Sequence, residues 1–179
     1  SESFVNPAKV LAVGLSTAVP VVLGDGPLTG VAAGRAASML ARTARVPATH
    51  GSLPDAAAQV VACLDGPYGG GAGDAAGGAH ADVFADPYLD GPPTPRLGLL
   101  ALRDPDLDPR QAELADAVIG SAREAGVTVW EQEARSGEPI VRLASLVALT
   151  DFAATYLALG MGLDPSVSRH VVELRDRTS

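Results

Sequence analysis

The chain has 179 residues, of which 47% are hydrophobic and 19% are charged, and its formal net charge is −8. This length and apolar content predict one folded domain with a substantial core and exclude a disordered chain. The acidic balance, with Lys9 as the only lysine, excludes the clustered positive surface that nucleic acid binding requires. No uncharged apolar run reaches the roughly 18 residues of a membrane span, because Asp151 interrupts the longest candidate, 143–163. We therefore expect neither a nucleic acid nor a membrane as a partner.

The cysteine and the histidines give no sign of a metal site or of a disulfide. Cys63, the only cysteine, lies in an apolar helix-like stretch, so we expect an inert core residue. The three histidines are too scattered in the sequence to indicate one metal site; they are His50, His80 and His170. We expect no metal and no cofactor.

The first four residues bear on where in the cell the protein is located. Ser1–Phe4 lacks the basic start and the apolar stretch of a signal peptide, which predicts a cytoplasmic protein. Because there is no initiating methionine and a helix is predicted almost at once, the chain is also consistent with a piece of a longer protein.

Helices alternate with short apolar strands along the first 64 residues. Asn6 is a capping residue before a proline, which predicts the start of the first helix. The apolar run 20–23 stops at Gly24, which is typical of a strand buried on both faces of a parallel sheet. The predicted elements are a helix over 7–18, a strand over 20–23, a helix over 27–45, a strand over 46–50, and a helix capped by Ser52–Asp55 that ends near Leu64.

The same alternation resumes after a segment of low complexity. Residues 66–81 are mostly glycine, alanine and aspartate, so we expect a flexible insertion there. The predicted elements that follow are strands over 97–102 and 127–130 and helices over 109–125, 138–161 and 166–177, with Gly126 capping the first of these helices. Strands joined by helices form a parallel sheet covered on both faces. The sequence therefore predicts an α/β fold, a three-layer αβα sandwich in a single domain over 1–179.

The turn between the first strand and the second helix is the strongest candidate for binding an anion. Gly24, Asp25 and Thr29 lie where an open parallel sheet presents free backbone N–H groups at a helix N-terminus. The turn lacks the third glycine of a dinucleotide site and the Gly-Lys-Ser/Thr of a P-loop, so it gives little support for a nucleotide. Asp25 would also repel a phosphate. A ligand loop and a purely structural turn both remain open.

Two other patterns predict no site. Asp104, Asp106 and Asp108 alternate like the start of a calcium loop, but Pro109 and Ala115 replace the loop's glycine and closing glutamate. We therefore predict a solvated turn with a helix cap. The sequence contains no Gly-x-Ser-x-Gly, so we assign no catalytic triad.

Several stretches of the chain match a known family. They are Val141–Phe152, Tyr156–Leu159 and Gly162–Ser166, then Asp108–Arg110 and Gly126–Trp130, and near the start Asn6–Lys9 and Pro20–Gly24. In these stretches the chain resembles the C-terminal SIS (sugar isomerase) domain of the bifunctional phosphoglucose/phosphomannose isomerases. The resemblance spans nearly everything except the glycine-rich insertion, and it implies a sandwich of the SIS, flavodoxin-like type.

The resemblance also implies that the chain is one half of a longer protein. In that family a second SIS domain precedes this one and supplies most of a sugar-phosphate pocket. A glutamate moves a proton between C1 and C2 of the open-chain sugar phosphate, and a histidine from the partner subunit helps to open the ring. The implied partners are a sugar phosphate, the N-terminal SIS half and a second copy of the chain in a homodimer.

Matching to the family assigns no catalytic residue. Arg42 stands at the position of the glutamate and Ala58 at that of the histidine. Arginine stays charged at any relevant pH and alanine has no proton to donate, so neither can perform the chemistry. The candidate ligand-binding residues are Gly24, Asp25, Thr29, Arg35, Ser166 and Arg175. Ser166 matches a family threonine and Arg175 a family lysine, although a serine at a helix start and an exposed arginine are as often structural.

Two functions of different classes follow. One is a catalytically degenerate SIS domain that binds a sugar phosphate or a partner and regulates. The other is an active aldose–ketose isomerase that uses Asp25, Asp55 or a residue of the other half as base. The helix over 138–161 is apolar on most of its circumference, so we expect part of it to pack on another SIS domain, from the N-terminal half or from a second copy.

Overall fold

Helices alternate with strands along the chain. The computed structural model of the protein describes residues 6–69 and 95–178. The helices are α1 (Pro7–Leu15), α2 (Pro27–Met39), α3 (Ala57–Leu64), α4 (Pro109–Glu124), α5 (Pro139–Gly160) and α6 (Arg169–Thr178). The strands are β1 (Ala18–Gly24), β2 (Thr49–Ser52), β3 (Arg96–Arg103) and β4 (Thr128–Glu133). A short π-helix, Leu40–Ala44, continues α2.

In the described part of the chain, four parallel strands form one sheet in the order β2–β1–β3–β4. Val21 of β1 lies opposite Thr49 of β2 on one side and Leu99 of β3 on the other. The chain therefore adds β2 to one side of β1 and β3 to the other side. In open parallel sheets, the carboxyl ends of the strands at such a switch point form the usual ligand crevice.

Helices cover both faces of the sheet. Val22 and Leu100 point to the face on which α1, α2 and α5 pack. Val21 and Leu99 point to the opposite face, which α3 and α4 cover. Successive strand residues point to opposite faces, so a run of apolar residues supplies both cores at once. The predicted three-layer αβα sandwich is confirmed.

Two predicted boundaries are wrong by three residues because strand pairing decides them. The first helix ends at Leu15 rather than Ala18, because Ala18 already pairs with Arg96 in the sheet. The fourth strand continues to Glu133 rather than ending at Trp130, because β3 extends as far as Arg103 and pairs with it. Pairing partners of this kind are distant in sequence and leave no local signal.

Two further boundaries move because of local hydrogen bonds. The backbone N–H of Val46 donates to the π-helix, so the second strand begins at Thr49 rather than Val46. The last helix begins at Arg169 rather than Ser166, because Ser166 is held in a turn by the carboxylate of Asp164.

Helix α3 differs most from the expectation. It begins at Ala57 without a side-chain cap, so Ser52–Asp55 does not cap it as predicted. It buries Val60 and Leu64, which are four residues apart and share one face. Cys63 is exposed, and the prediction of a core cysteine is wrong. A short helix that contacts the sheet with a single face leaves its other apolar residues outside.

The predicted flexible insertion, 66–81, lies mostly outside the described residues, which stop at Gly69 and resume at Pro95. The two ends meet, since the backbone N–H of Leu97 donates to the carbonyl of Tyr68 at 2.6 Å. The ends of the two described ranges therefore lie side by side.

Helix α5 is long and strongly apolar. With 22 residues and a mean hydropathy of 1.5, it is the one helix in the described ranges that could cross a membrane by length and composition. Its inner face packs on α1 and α2, where Leu146, Ala154 and Leu157 are buried. Yet only 33% of the most apolar 18-residue stretch of this helix is buried inside the domain. Much of its apolar surface therefore lies outside the domain's own core.

Candidate functional site

The carboxyl ends of β1 and β3 meet at the switch point of the sheet. Gly24 ends β1 and Asp25 follows it, while Arg103 ends β3 and Asp104 follows it. Helix α2 starts directly beside them. A Cβ on Gly24 would lie 2.3 Å from the backbone nitrogen of Gly30, so only glycine permits this close approach of α2 to the strand.

The carboxylate of Asp25 lies in this crevice and is 3% exposed. One oxygen accepts a hydrogen bond from the backbone N–H of Asp104 at 3.0 Å, and the other accepts one from the Thr29 hydroxyl at 2.9 Å. Nε of Arg103 lies 3.2 Å from the first oxygen. A carboxylate of the chain itself thus binds the amide of Asp104, the hydroxyl of Thr29 and the guanidinium of Arg103 at this switch point.

Thr29 completes the arrangement. Its buried hydroxyl oxygen accepts a hydrogen bond from the backbone N–H of Gly26 at 2.9 Å. Burial raises the pKa of Asp25 above its ordinary value, and the hydrogen bonds from Asp104 and Thr29 work against that rise. The structure therefore brings Asp25 and Thr29 together through contacts with each other, in the geometry expected of a structural turn.

Arg103, at the end of β3, connects this strand to three other elements, and sequence analysis did not single it out. Its Nη1 lies 2.7 Å from the Asp116 carboxylate of α4 and 3.5 Å from Glu131 of β4. Together with the contact to Asp25, these ion pairs link β1, β3, β4 and α4. The available sequence signal was an arginine at the end of a buried strand, directly before an aspartate.

Arg142, also missed, ties the start of α5 to the same edge. Its Nε lies 3.0 Å from a carboxylate oxygen of Asp104, as an ion pair without the alignment of a hydrogen bond. Its Nη1 donates to the carbonyl of Gly137 at 2.8 Å and to Asp106. Asp104 is 9% exposed, so the predicted solvated turn is wrong for this residue. The helix cap is confirmed, because Asp108 caps α4.

Arg35 lies away from this crevice. It stands eight residues after Pro27 in α2, roughly 12 Å along the helix. Its Nε and Nη2 donate to the two carboxylate oxygens of Asp151 in α5, at 3.1 and 2.8 Å. This hydrogen bonding raises the pKa of the Arg35 guanidinium. The pair joins α2 to α5 on the outer surface of their layer.

The turn that holds Ser166 lies beside Arg45, beyond the far end of α2. The Ser166 hydroxyl and N–H donate to the carboxylate of Asp164 at 2.7 and 2.8 Å, which lowers the pKa of Asp164. The carbonyl of Asp164 accepts from Arg45, which follows the π-helix, at 2.9 Å. Thr29 and Arg45 are separated by about 24 Å of helix. Arg175 belongs to α6, which buries none of its described residues. The six candidate ligand-binding residues therefore do not line one pocket in this domain.

The two positions that match the family's catalytic residues are both on the surface. Arg42 is exposed in the π-helix after α2, and Ala58 is exposed in the first turn of α3. Asp55, a candidate for a relocated base, is exposed just before α3. Within residues 6–69 and 95–178, no group of His, Cys, Asp and Glu side chains is placed to hold a metal ion.

The family match covers nearly the full length of the chain. The family is described as the bacterial phosphoglucose isomerase C-terminal SIS domain, and it matches residues 4–178. The chain belongs to this family. Its parallel sheet with helices on both faces is the sandwich that the resemblance to a SIS domain implied. No curated protein matches the sequence.

Solved structures share the fold of this SIS domain. A glucose-6-phosphate isomerase-like protein from Thermus thermophilus superposes with a TM-score of 0.63 at 22% identity, over 96% of this chain and 47% of that one. A hypothetical protein from the same organism gives a TM-score of 0.60 at 12% identity, over 96% of this chain and 44% of that one. Such low identities show the fold alone, and the SIS domain spans less than half of each structure.

Proposed function

We propose that this SIS domain binds a sugar phosphate and supplies neither the base nor the ring-opening group of an isomerase. The observation that carries the proposal is the exposed guanidinium of Arg42, at the position where the family resemblance places a catalytic glutamate. A guanidinium offers only donors and stays charged, so it holds a phosphate or a sugar oxygen and removes no proton. Ala58 leaves the ring-opening position without a polar atom.

The crevice at the switch point supports the same proposal. A general base must come within hydrogen-bond reach of the proton that it removes. The oxygens of Asp25 accept from Asp104 and Thr29 inside the domain, and the carboxylate is almost completely buried. Asp25 is therefore a poor candidate for the relocated base.

The alternative function is an active aldose–ketose isomerase with a different base. Asp55 favours it, because this exposed aspartate lies three positions before Ala58, beside the start of α3. A carboxylate within reach of the substrate has the chemistry that proton abstraction requires.

A second SIS domain completes the pocket in this proposal. The domain spans only 47% and 44% of the two similar structures, which leaves room in such proteins for a further domain. This second SIS domain would come from the N-terminal half of the same protein or from a second copy of the chain. The family resemblance extends the proposal to glucose 6-phosphate, mannose 6-phosphate and fructose 6-phosphate as ligands, and to a cytoplasmic location.

Calorimetric titration of the full-length protein, which holds both SIS domains in this proposal, with fructose 6-phosphate tests the binding. We expect the wild type to bind and Arg42→Ala to bind at least about tenfold more weakly, since a charge-assisted contact is lost. Arg169→Ala is the matched control, because it removes an arginine that is also exposed but lies on α6. Failure of the wild type to bind, or an equal loss in both variants, would contradict the proposal.

An isomerase assay on the full-length protein separates the two functions. We expect no interconversion of glucose 6-phosphate and fructose 6-phosphate, and a gain of turnover in the Arg42→Glu/Ala58→His variant. A positioned base contributes about 10² to 10⁴ in rate, so its return should be measurable. Turnover by the unmodified protein that disappears in Asp55→Asn would establish the alternative.

A further inference from the structure

Arg45 has a left-handed backbone conformation. It follows the π-helix with a φ of +59°, and in the ranges 6–69 and 95–178 it is the only residue other than glycine with a positive φ. The Cβ of a side chain crowds the backbone in this conformation, so glycine is the residue that adopts it without strain. Backbone stability therefore does not explain an arginine at this position.

The side chain of Arg45 connects the π-helix to the turn between α5 and α6. Its Nη2 donates to the carbonyl of Asp164 at 2.9 Å and to the carbonyl of Val167. These two carbonyls flank Ser166, whose hydroxyl and backbone N–H both donate to the Asp164 carboxylate. One guanidinium nitrogen thus binds both ends of the turn that carries Ser166.

The two sides of this connection are not equally buried. Leu40 and Ala44 of the π-helix lie in the core, and the carbonyl of Leu40 accepts from the backbone N–H of Arg45. On the other side, Ser166 is exposed and α6 buries none of its described residues. Segments that bury little apolar surface open locally at low cost. Arg45 therefore ties an exposed turn to a segment that the core holds in place.

Two positions that the proposed function uses lie on either side of Arg45. Arg42 is exposed three residues earlier, in the π-helix, and its guanidinium offers only donors, which suit a phosphate. Ser166 lies in the turn, where its hydroxyl donates to Asp164. The lone pairs of that hydroxyl are left to accept, which suits a hydroxyl of the sugar and not a phosphate oxygen.

We propose that Arg45 is a positioning residue, which holds Ser166 where its oxygen accepts a hydrogen bond from a hydroxyl of the sugar phosphate bound at Arg42. The inference rests on the proposed function and adds the ligand group that the turn recognises. Arg45 acts through the turn and not by touching the ligand. Strained backbone conformations and π-helical turns both concentrate at functional sites, in agreement with this role.

Three substitutions of Arg45 separate the side-chain bonds from the backbone strain. Arg45→Ala and Arg45→Gly both remove the bonds, but only the glycine also relieves the strain, whereas Arg45→Lys keeps a donor. Calorimetric titration of the full-length protein with fructose 6-phosphate compares them. We expect Kd to rise at least about tenfold in Arg45→Ala and Arg45→Gly and to stay within about threefold of the wild type in Arg45→Lys, since each lost hydrogen bond changes an equilibrium constant by a factor of about 2 to 12.

Urea unfolding distinguishes this role from a merely structural one. Arg45→Gly should unfold at a higher urea concentration than Arg45→Ala, although both should bind the ligand equally weakly. With a merely structural role, the loss of affinity would follow the loss of stability instead. Arg123→Ala is the matched control, because it removes another exposed and paired arginine, on α4 in the opposite layer, and should leave Kd unchanged.

Two further measurements show whether Arg45 acts through the turn. In a double-mutant cycle, Ser166→Ala should raise Kd at least about threefold in the wild type and have little further effect in Arg45→Ala. Hydrogen exchange followed by mass spectrometry, without ligand, should be about tenfold faster over residues 164–172 in Arg45→Ala than in the wild type.

The results separate the role of Arg45 from the proposed function. A wild type that does not bind fructose 6-phosphate would overturn the proposed function and this role together. A wild type that binds, with Kd or the exchange over 164–172 unchanged in Arg45→Ala, would overturn the role of Arg45 alone. Additive effects of Arg45→Ala and Ser166→Ala would also overturn that role, because the arginine would then not act through the turn.

Discussion

Replacing Asp25 by alanine removes the carboxylate that joins the carboxyl ends of β1 and β3. The backbone N–H of Asp104 then loses its acceptor, which costs about 1–3 kcal/mol for a buried donor. The Thr29 hydroxyl keeps an acceptor, since the carbonyl of Gly26 lies 3.0 Å away. Arg103 keeps its contacts with α4 and β4. We therefore expect the free energy of unfolding to fall by about 2 kcal/mol, and Tm by about 4–8 °C for a domain of this size.

Urea unfolding followed by circular dichroism measures this loss. Asp116→Ala is the matched control. It removes another partner of Arg103, but the Asp116 side chain is 68% exposed. We expect that control to change stability by less than about 0.5 kcal/mol. If Asp25→Ala unfolds at the same urea concentration as Asp116→Ala, the carboxylate does not hold the two strands together and the prediction is wrong.

Four further substitutions test other features of the domain. Asp25→Asn removes a carboxyl whose pKa is raised on folding, so the folded protein holds this proton more tightly than the unfolded chain. The wild type should therefore lose stability relative to this variant as pH rises from about 4, which urea midpoints between about pH 4 and 7 will show. Gly24→Ala forces a Cβ against backbone and should destabilise by about 1–3 kcal/mol in the same assay. A Cβ at Gly120 would meet no atom within 4 Å, so Gly120→Ala should stabilise the helix by up to about 1 kcal/mol and raise Tm. Arg142→Met leaves Asp104 buried without its cation and should lose about 3 kcal/mol in urea unfolding, part of which Asp104→Asn should restore.

The fold could be predicted because its signals are local. Asn6 accepts from the backbone of α1, and Asp108 accepts from that of α4, as capping residues before a proline do. Gly126 ends the α4 segment with a φ of +73°, which glycine adopts without strain. The alternation of such helices with apolar strands predicts the three layers. The ends of the strands depend instead on pairing partners that are distant in sequence, as the pairing of Ala18 with Arg96 shows.

The edge of the sheet could not be predicted in the same way. Asp25 and the amide of Asp104 are 79 positions apart, and Arg142 lies 36 positions from Asp106. Residue types reveal that charges are present but do not reveal which ones meet. For this reason the sequence does not decide between a ligand loop and a structural turn at Gly24. Only the structure shows that the Asp25 carboxylate accepts from the Asp104 amide and the Thr29 hydroxyl.

The hydrogen bond between Leu97 and Tyr68 joins the two chain segments that flank residues 70–94 in the sequence. The entropy of closing a chain segment grows only with the logarithm of its length, so doubling these 25 residues costs about 0.6 kcal/mol. Neither the sheet register nor the two cores would change. A reporter domain whose own termini lie close together can therefore be inserted between Gly69 and Pro95 with little loss of stability. This point of the chain is the natural place to label the protein without disturbing the edge that holds Asp25.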